Sequence, residues 1–167
     1  MCQHYMQKKP MMVSNNINLG IQIEYKSAST LGADRIICAL AAYKEYGGPA
    51  IVIDFGSATT FDLISSDGTF MGGAIAPGIK TSAESLVNTA AKLPRVELTK
   101  PKNVVGKSTI SCMQSGIVFG YAGMVKYMIE KYKEVEGMEN AKVIATGGLS
   151  ELINSVEPQL IDITDRA

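Results

Sequence analysis

The chain has 167 residues, a length typical of about one domain, and 46% of them are hydrophobic against 19% charged. This balance argues against intrinsic disorder. Sixteen Lys and Arg residues match sixteen Asp and Glu residues, so the net charge gives no electrostatic reason to expect nucleic acid or an anionic membrane as a partner. No apolar run approaches the roughly 18 residues that span a bilayer, and the N-terminal stretch lacks the apolar core of a signal peptide. We therefore expect a cytoplasmic protein.

The cysteines and the single histidine do not form a metal-binding pattern. Cys2, Cys38 and Cys112 are far apart without a CxxC pair, and His4 lies in a polar N-terminal stretch. This arrangement disfavours both a zinc site and a His-dependent catalytic triad. We expect the cysteines to be buried, free thiols in a reducing compartment.

The first half of the chain predicts a helix followed by an antiparallel meander. Residues 19–23 alternate apolar and polar side chains, as a short strand does. Apolar residues recur at helical spacing from Leu31 to Lys44, and Gly47-Gly48-Pro49 ends that pattern. Three β-rich runs follow, over 50–55, 57–64 and 69–76. Asp67-Gly68 lies between the second and third runs and is a hairpin signal.

The second half predicts further helices around two more strands. Its elements in chain order are a helix over 82–92, a loose stretch over 95–106, one long helix or two joined at Gly116–Gly123 over 108–135, a strand over 142–145, a helix over 149–156 and a last strand over 160–163. No internal repeat or low-complexity linker divides them. The pattern therefore predicts a single α/β unit.

The segment 54–60, with the sequence DFGSATT, is the first candidate site and lies at a turn between two predicted strands. Glycine lets the backbone approach a ligand closely, and hydroxyl side chains add donors beside exposed N–H groups. An aspartate at the end of a strand can hold a cation. The pattern suits phosphate oxygens with their counter-ion, and the alternative is a plain hairpin turn with a capping Asp.

Two helix starts that contain glycine are the other candidates. Thr146-Gly147-Gly148 follows a predicted strand, so the next helix would present free N–H groups to a phosphate or nucleotide. The alternative is an ordinary strand-to-helix turn. Gly32-Ala33-Asp34-Arg35 begins the first helix, where an Asp that accepts a hydroxyl proton and an Arg that binds a carboxylate would together bind a hydroxy acid. The alternative there is an Asp that offsets the helix dipole beside a solvated Arg.

In this order the motifs resemble those of the type III pantothenate kinases, members of the actin/hexokinase/Hsp70-like ATPase superfamily. The matching segments cover roughly residues 19–165 and are GADR at 32–35, DFGSATTFD at 54–62, GGAIAPG at 72–78, LP at 93–94, GKST at 106–109, QSGIVFGYAG at 114–123 and ATGGL at 145–149. The resemblance implies an α/β fold, an actin-like ATPase (ribonuclease H-like) domain. Its mixed sheet would contain a three-stranded antiparallel meander and have flanking helices.

The resemblance also implies an activity, the ATP-dependent phosphorylation of pantothenate to 4′-phosphopantothenate, which is the first step of coenzyme A biosynthesis. Asp34 would be the general base on the pantothenate hydroxyl, and Arg35 would be the partner of the pantothenate carboxylate. Asp54 would hold a monovalent cation, K⁺ or NH₄⁺, and ATP would bind with Mg²⁺. The implied pantothenate contacts are Gly32, Ala33, Asp34, Arg35 and Thr109, and the implied ATP contacts are Gly56, Ser57, Gly147 and Gly148.

Two departures from the family pattern matter. Ser57 stands where the family usually has Thr, so the hydroxyl is kept but the methyl group that fixes its rotamer is lost. The family's first phosphate loop, Asp-x-Gly-Asn-Thr, does not occur in this sequence, and its C-terminal finishing segment has no match. We expect residues 1–30 to be a linker and edge strand from a missing N-terminal domain. Residues 31–167 would be the C-terminal kinase domain, truncated at its end and with little or no activity alone.

Family members form homodimers with pantothenate near the interface, so the resemblance implies a homodimer. The apolar stripe of the long helix around Tyr121–Met128 would be the dimer face, and core packing explains the same stripe. The alternative function is a non-catalytic or regulatory subunit of the same family that acts with a partner chain. The absence of a helix-turn-helix pattern argues against direct DNA binding.

Overall fold

The computed structural model describes residues 20–27 and 30–165. Its helices are α1 (Ala33–Tyr46), α2 (Ile79–Thr89), α3 (Thr109–Lys133) and α4 (Ser150–Val156), and its strands are β1 (Ala50–Phe55), β2 (Ala58–Ile64), β3 (Phe70–Pro77), β4 (Lys142–Thr146) and β5 (Ile163–Thr164). Within these ranges, none of the helices combines the length and the apolar character needed to cross a bilayer.

The strands form one mixed sheet in the order β3-β2-β1-β4-β5. The neighbours β1 and β2, and then β2 and β3, are antiparallel, whereas β4 is parallel to both β1 and β5. The turn between β2 and β3 follows from its residues, because Gly68 has a φ of 88° and the Asp67 side chain accepts the Thr69 N–H at 3.1 Å. The mixed sheet with its three-stranded antiparallel meander confirms the predicted fold class.

Helices cover both faces of the sheet, and the alternation of residues along β1 decides which helices each residue meets. Ile51 and Ile53 pack into one core with α2, α3 and α4. Val52 packs into a second core with α1, together with Ile144 of β4. Asp54 continues the row of Val52, so its side chain lies on the α1 face at the C-terminal end of β1.

Most predicted elements are confirmed with shifted ends. The long helix is continuous, and it begins after Ser108, whose side chain accepts the Ser111 N–H at 3.2 Å. The second predicted helix begins three residues earlier than expected, because Ile79 follows the Pro77-Gly78 turn directly and is buried at 1% exposure. The last strand, predicted over 160–163, is shorter and lies later, at Ile163–Thr164. Among described residues, the strand expected over 19–23 is a single bridge between Ile23 and Phe70, and Leu19 lies outside them.

Two sequence-based expectations need correction. The buried side of the stripe around Tyr121–Met128 belongs to the chain's own core, because Tyr121 and Val125 are buried there, whereas Gly123 and Tyr127 on the other side of the helix are exposed. Cys112 is exposed rather than buried, whereas Cys38 is half-buried. Both are free thiols, and Cys2 and His4 lie outside the described residues.

Candidate active site

The centre of the candidate site is Asp54, at the end of β1. Register pairs Asp54 with Thr60 of β2 on one side and with Thr146 of β4 on the other. Directly paired residues project from the same face of a sheet. A half-buried carboxylate therefore stands between two threonine side chains in one row across the sheet.

Asp34 stands in the first turn of α1, which covers this face of the sheet. Its Oδ1 accepts the backbone N–H of Arg35 at 2.9 Å, and the residue is exposed. A Cβ atom at Gly32 would lie 2.3 Å from the Asp34 Oδ1. Glycine is therefore needed at position 32 for the Asp34 carboxylate to keep its place.

The charge of the Asp34 carboxylate acts on Asp54. Burial raises the pKa of Asp54, and the charge of Asp34 raises the same pKa further. Burial also raises the pKa of the Cys38 thiol, one helical turn after Asp34, and the charges of Asp54, Asp34 and Asp62 add to this rise in pKa. The charges of carboxylates on α1, β1 and β2 thus all act on this thiol, and the carboxylate on β2, Asp62, already has Arg35 as its cation.

The Arg35 side chain is buried rather than exposed to solvent. Its guanidinium donates from Nε to the Asp62 Oδ1 at 2.9 Å and forms an ion pair with the same oxygen. Only 7% of the Arg35 side chain and 2% of the Asp62 side chain are exposed. The arginine predicted to meet a substrate carboxylate thus already binds a carboxylate of its own chain.

The Gly56-Ser57 turn is held in place from below. The Ser57 carbonyl oxygen accepts the Gly78 N–H at 3.0 Å and the Thr81 hydroxyl at 2.7 Å. A Cβ atom at Gly78 would lie 2.4 Å from the Gly56 carbonyl oxygen, so the two turns contact through their backbones. Both Gly56 and Ser57 are exposed. The Gly56 N–H donates to the Ala58 carbonyl oxygen at 3.1 Å, so the turn is fixed while the exposed Ser57 side chain remains accessible to a ligand.

Gly147 brings the end of β4 against the end of β1. Its φ is 89°, and a Cβ atom there would lie 2.7 Å from the Phe55 carbonyl oxygen and 2.8 Å from the Asp54 Oδ1. Gly148 next to it has open space instead and lines a cavity of about 470 Å³. The cavity lies between α2, the segment 95–98 and the start of α4, and its apolar lining includes Val87, Leu98 and Leu149. Its volume is in the range of small-molecule sites.

Thr109 is the predicted site residue that the described structure does not bring to the carboxylates. It is exposed at the start of α3, which packs on the face opposite α1. From Thr109 to Tyr121, which contacts the end of β3, the helix rises about 18 Å. Within one chain, the other predicted residues gather at one edge of the sheet and Thr109 stands apart from Asp34.

Sequence reasoning gave no role to Asp62, and it included Thr60 and Thr146 in candidate segments without a role of their own. The sequence did contain a signal for Asp62, which is a charged residue within the apolar run of β2. Because such a residue is rarely buried without a partner, it predicts an ion pair. Strand alternation also puts Thr60 and Asp62 on one face. For Thr146, only the pairing of β1 with β4 reveals its place beside Asp54.

Comparison with known proteins gives a consistent result. A family model described as type III pantothenate kinase matches residues 1–131. A type III pantothenate kinase from Agathobacter rectalis is 49% identical over 161 residues, which are 96% of this chain but 62% of that protein. The chain thus spans about three fifths of the length of this curated relative.

Two solved structures were compared with the chain. A Campylobacter jejuni protein described as a Baf family transcriptional activator is 23% identical with a TM-score of 0.55, over 87% of this chain and 61% of that one. An activator of 2-hydroxyisocaproyl-CoA dehydratase from Clostridium difficile, solved with bound ADPNP, is 12% identical with a TM-score of 0.40, over 87% and 66%. The first likeness shows a common fold.

Proposed function

Because the chain belongs to the type III pantothenate kinase family, we propose that it carries the acceptor side of a kinase site that phosphorylates pantothenate with ATP. The observation that carries this proposal is the place of Asp54, which lies next to the fixed Gly56-Ser57 turn on the sheet face that α1, with Asp34 in its first turn, covers. A base, a cation ligand and a phosphate-binding turn are the parts that phosphoryl transfer needs, because the reaction depends mainly on positioning and on neutralising charge.

Asp34 is the general base in this proposal. Its exposed carboxylate would accept the proton of the pantothenate primary hydroxyl while that oxygen attacks the γ-phosphorus of ATP. The bond from the γ-phosphorus to the bridging oxygen breaks, and ADP leaves. A well-placed general base contributes roughly 10²- to 10⁴-fold to the rate. Gly32 and Ala33 would line the pantothenate site through their backbone, next to this base.

ATP would bind along the edge formed by the two glycine turns. Ser57 would contact its phosphates through its hydroxyl group, Gly56 would let them approach the backbone closely, and Gly147 would contact the nucleotide through its backbone where β4 meets β1. Gly148 opens into the apolar cavity of about 470 Å³, which supports a place there for the adenosine. Apolar walls suit a purine base, and a fixed turn suits phosphate oxygens.

The residues present fit a cation in part. Asp54 offers a carboxylate, and its row neighbours Thr60 and Thr146 offer hydroxyl oxygens, which are ligands for hard cations. The described residues contain no group of three acidic, His or Cys side chains suited to a metal ion, so the phosphates themselves would complete the ligand set. Asp54 would hold a monovalent cation, and Mg²⁺ would come bound to ATP. When bound, these cations neutralise phosphate charge.

Thr109 takes part in this proposal through a second copy of the chain. It cannot join Asp34 within one chain, and the first 17 residues of α3, from Thr109 to Val125, carry no charged side chain. Along the same helix Gly116, Gly120 and Gly123 have open space where a Cβ would be. A homodimer formed through the side of α3 that carries these three glycines would bring Thr109 of one copy towards the pantothenate site of the other.

A cytoplasmic location also belongs to the proposal.

A hybrid protein tests the function. It joins this chain to the part of the Agathobacter rectalis relative outside the matched 161 residues. ADP release coupled to NADH oxidation should depend on pantothenate in the hybrid and should be slight for the chain alone. A hybrid that folds and binds ATP, but shows no pantothenate-dependent turnover, would contradict the proposal.

Mixing two inactive variants tests the shared site. Hybrids with Asp34→Asn and with Thr109→Val should each be weak, and an equal mixture should recover about a quarter of the unmodified rate. This fraction follows because half of randomly assorted dimers are mixed and each mixed dimer has one intact site. Glu45→Gln, on the exposed side of α1, is the control. No recovery in a mixture shown to exchange subunits would contradict a site shared between copies.

A further inference from the structure

The buried ion pair of Arg35 and Asp62 has a geometry that a substrate-binding arginine would not have. Both Nε and a terminal nitrogen of Arg35 point to the Asp62 Oδ1. The guanidinium lies 5.7 Å from the centre of the Phe70 ring, with 7% of the side chain exposed. The N–H groups of the guanidinium therefore face into the core between α1 and the sheet, away from the accessible surface where Asp34 lies.

Breaking this pair for a ligand would be costly. A substrate carboxylate that took the guanidinium would leave the Asp62 carboxylate, 2% exposed, without its cation. A buried charge that loses its partner is strongly destabilising. Thr60 gives Asp62 a long second hydrogen bond of 3.4 Å, which is a weak replacement.

The pair connects the base to the sheet. Asp34 and Arg35 are adjacent in the first turn of α1, and the Arg35 N–H donates to the Asp34 Oδ1. Asp62 pairs in register with Val52, two residues before Asp54 on the same face of β1. A fixed Arg35 therefore sets the distance between Asp34 on the helix and Asp54 on the strand.

We propose that Arg35 and Asp62 are positioning residues that lock the first turn of α1 onto β2 and so hold Asp34 beside Asp54, and that Arg35 does not bind the carboxylate of the substrate. This inference rests on the proposed function for the role of Asp34. The ion pair itself can be tested in the chain alone.

Nuclear magnetic resonance of the ¹⁵N-labelled chain tests the pair without turnover. The Arg35 Nε–H signal is assigned by its loss in Arg35→Lys, and Arg95, an exposed arginine, is the internal reference. We expect the Arg35 signal to exchange with water far more slowly than the Arg95 signal, and Asp62→Asn to remove this protection. The Arg35 signal should not move when pantothenate is added. Exchange as fast as that of Arg95, or a shift with pantothenate but not with pantothenyl alcohol, would overturn the proposal.

Steady-state kinetics of the hybrid protein test the positioning role. Arg35→Gln and Asp62→Asn should lower kcat by similar factors, about 10- to 100-fold if Asp34 is misplaced by about 1 Å, and the double variant should be no worse than either. Each should lower the rate with pantothenate and with its carboxylate-free alcohol equally. Lys44→Gln is the control for loss of a charge on α1.

The outcomes separate this inference from the function itself. If Arg35→Gln abolishes the preference for pantothenate over the alcohol while Asp62→Asn keeps it, Arg35 is a substrate ligand and the inference is wrong, although the function stands. If the unmodified hybrid does not phosphorylate pantothenate, the function is wrong, and the resonance experiment still decides whether the ion pair exists.

Discussion

Replacing Gly147 with alanine tests the packing of the strand ends that form the site. Gly147 has a φ of 89°, and the new Cβ would lie 2.7 Å from the Phe55 carbonyl carbon and oxygen. The left-handed backbone costs alanine about 1–2 kcal/mol. Forcing a methyl group against backbone atoms costs about 1–3 kcal/mol more, because neither strand end can move without breaking the β1–β4 pairing. We expect Gly147→Ala to lower the free energy of unfolding by about 2–5 kcal/mol.

Gly148→Ala is the matched control, because that glycine has open space at the Cβ position. Urea unfolding followed by circular dichroism gives both free energies, and we expect the control to change by less than about 0.5 kcal/mol. The methyl group that Gly147→Ala adds would also press on the Asp54 Oδ1, so binding of a cation at that carboxylate should weaken as well. If the two variants unfold within about 0.5 kcal/mol of one another, the close approach of β4 to β1 is wrong.

Two further predictions concern stability. Tyr121→Phe should lower the free energy of unfolding by about 1 kcal/mol, or the melting temperature by about 2–4 °C. It removes a buried hydroxyl that bonds to Thr59 and to the Pro77 carbonyl oxygen at 2.7 Å; an unchanged melting temperature would contradict these bonds. Asp54→Asn should stabilise the chain at neutral pH, because burial and then Asp34 raise the pKa of Asp54 in the folded state. The pKa of Asp54 in the folded state thus lies above the unfolded value of about 3.9. Below about pH 3.9 the carboxyl group does not lower the free energy of unfolding, and it lowers that free energy increasingly as the pH rises through the folded pKa. The melting temperatures of Asp54→Asn and of the unmodified chain, compared from pH 3 to 7, should therefore differ only at the higher pH. Equal melting temperatures at every pH would refute the reasoning.

The sequence was sufficient for features that depend on local pattern. Alternating residues and the Asp67-Gly68 turn predicted the meander, and the apolar spacing after Leu31 predicted α1 with its end at Gly47. The ordered motifs predicted the family. These signals work because strand alternation, turn chemistry and helix ends are decided by residues close together in the chain.

The remaining features depend on which faces meet in three dimensions. Arg35 looks like a solvated or ligand-binding residue in the sequence, and only the packing of α1 on the sheet buries it against Asp62. Similarly, the separation of Thr109 from Asp34 follows from α1 and α3 lying on opposite faces. The stripe at Tyr121 was compatible with an interface or a core, and burial within the chain decides for the core.

The most direct test of the central claim is the rate of pantothenate phosphorylation by the hybrid protein with Asp34→Asn. Asparagine keeps the size of the side chain but cannot accept the hydroxyl proton as a carboxylate does, so kcat should fall by at least about 100-fold. ATP binding should be unchanged, and Glu45→Gln on the same helix should leave the rate unaltered. A rate for Asp34→Asn close to that of the unmodified hybrid would contradict the claim that Asp34 is the base.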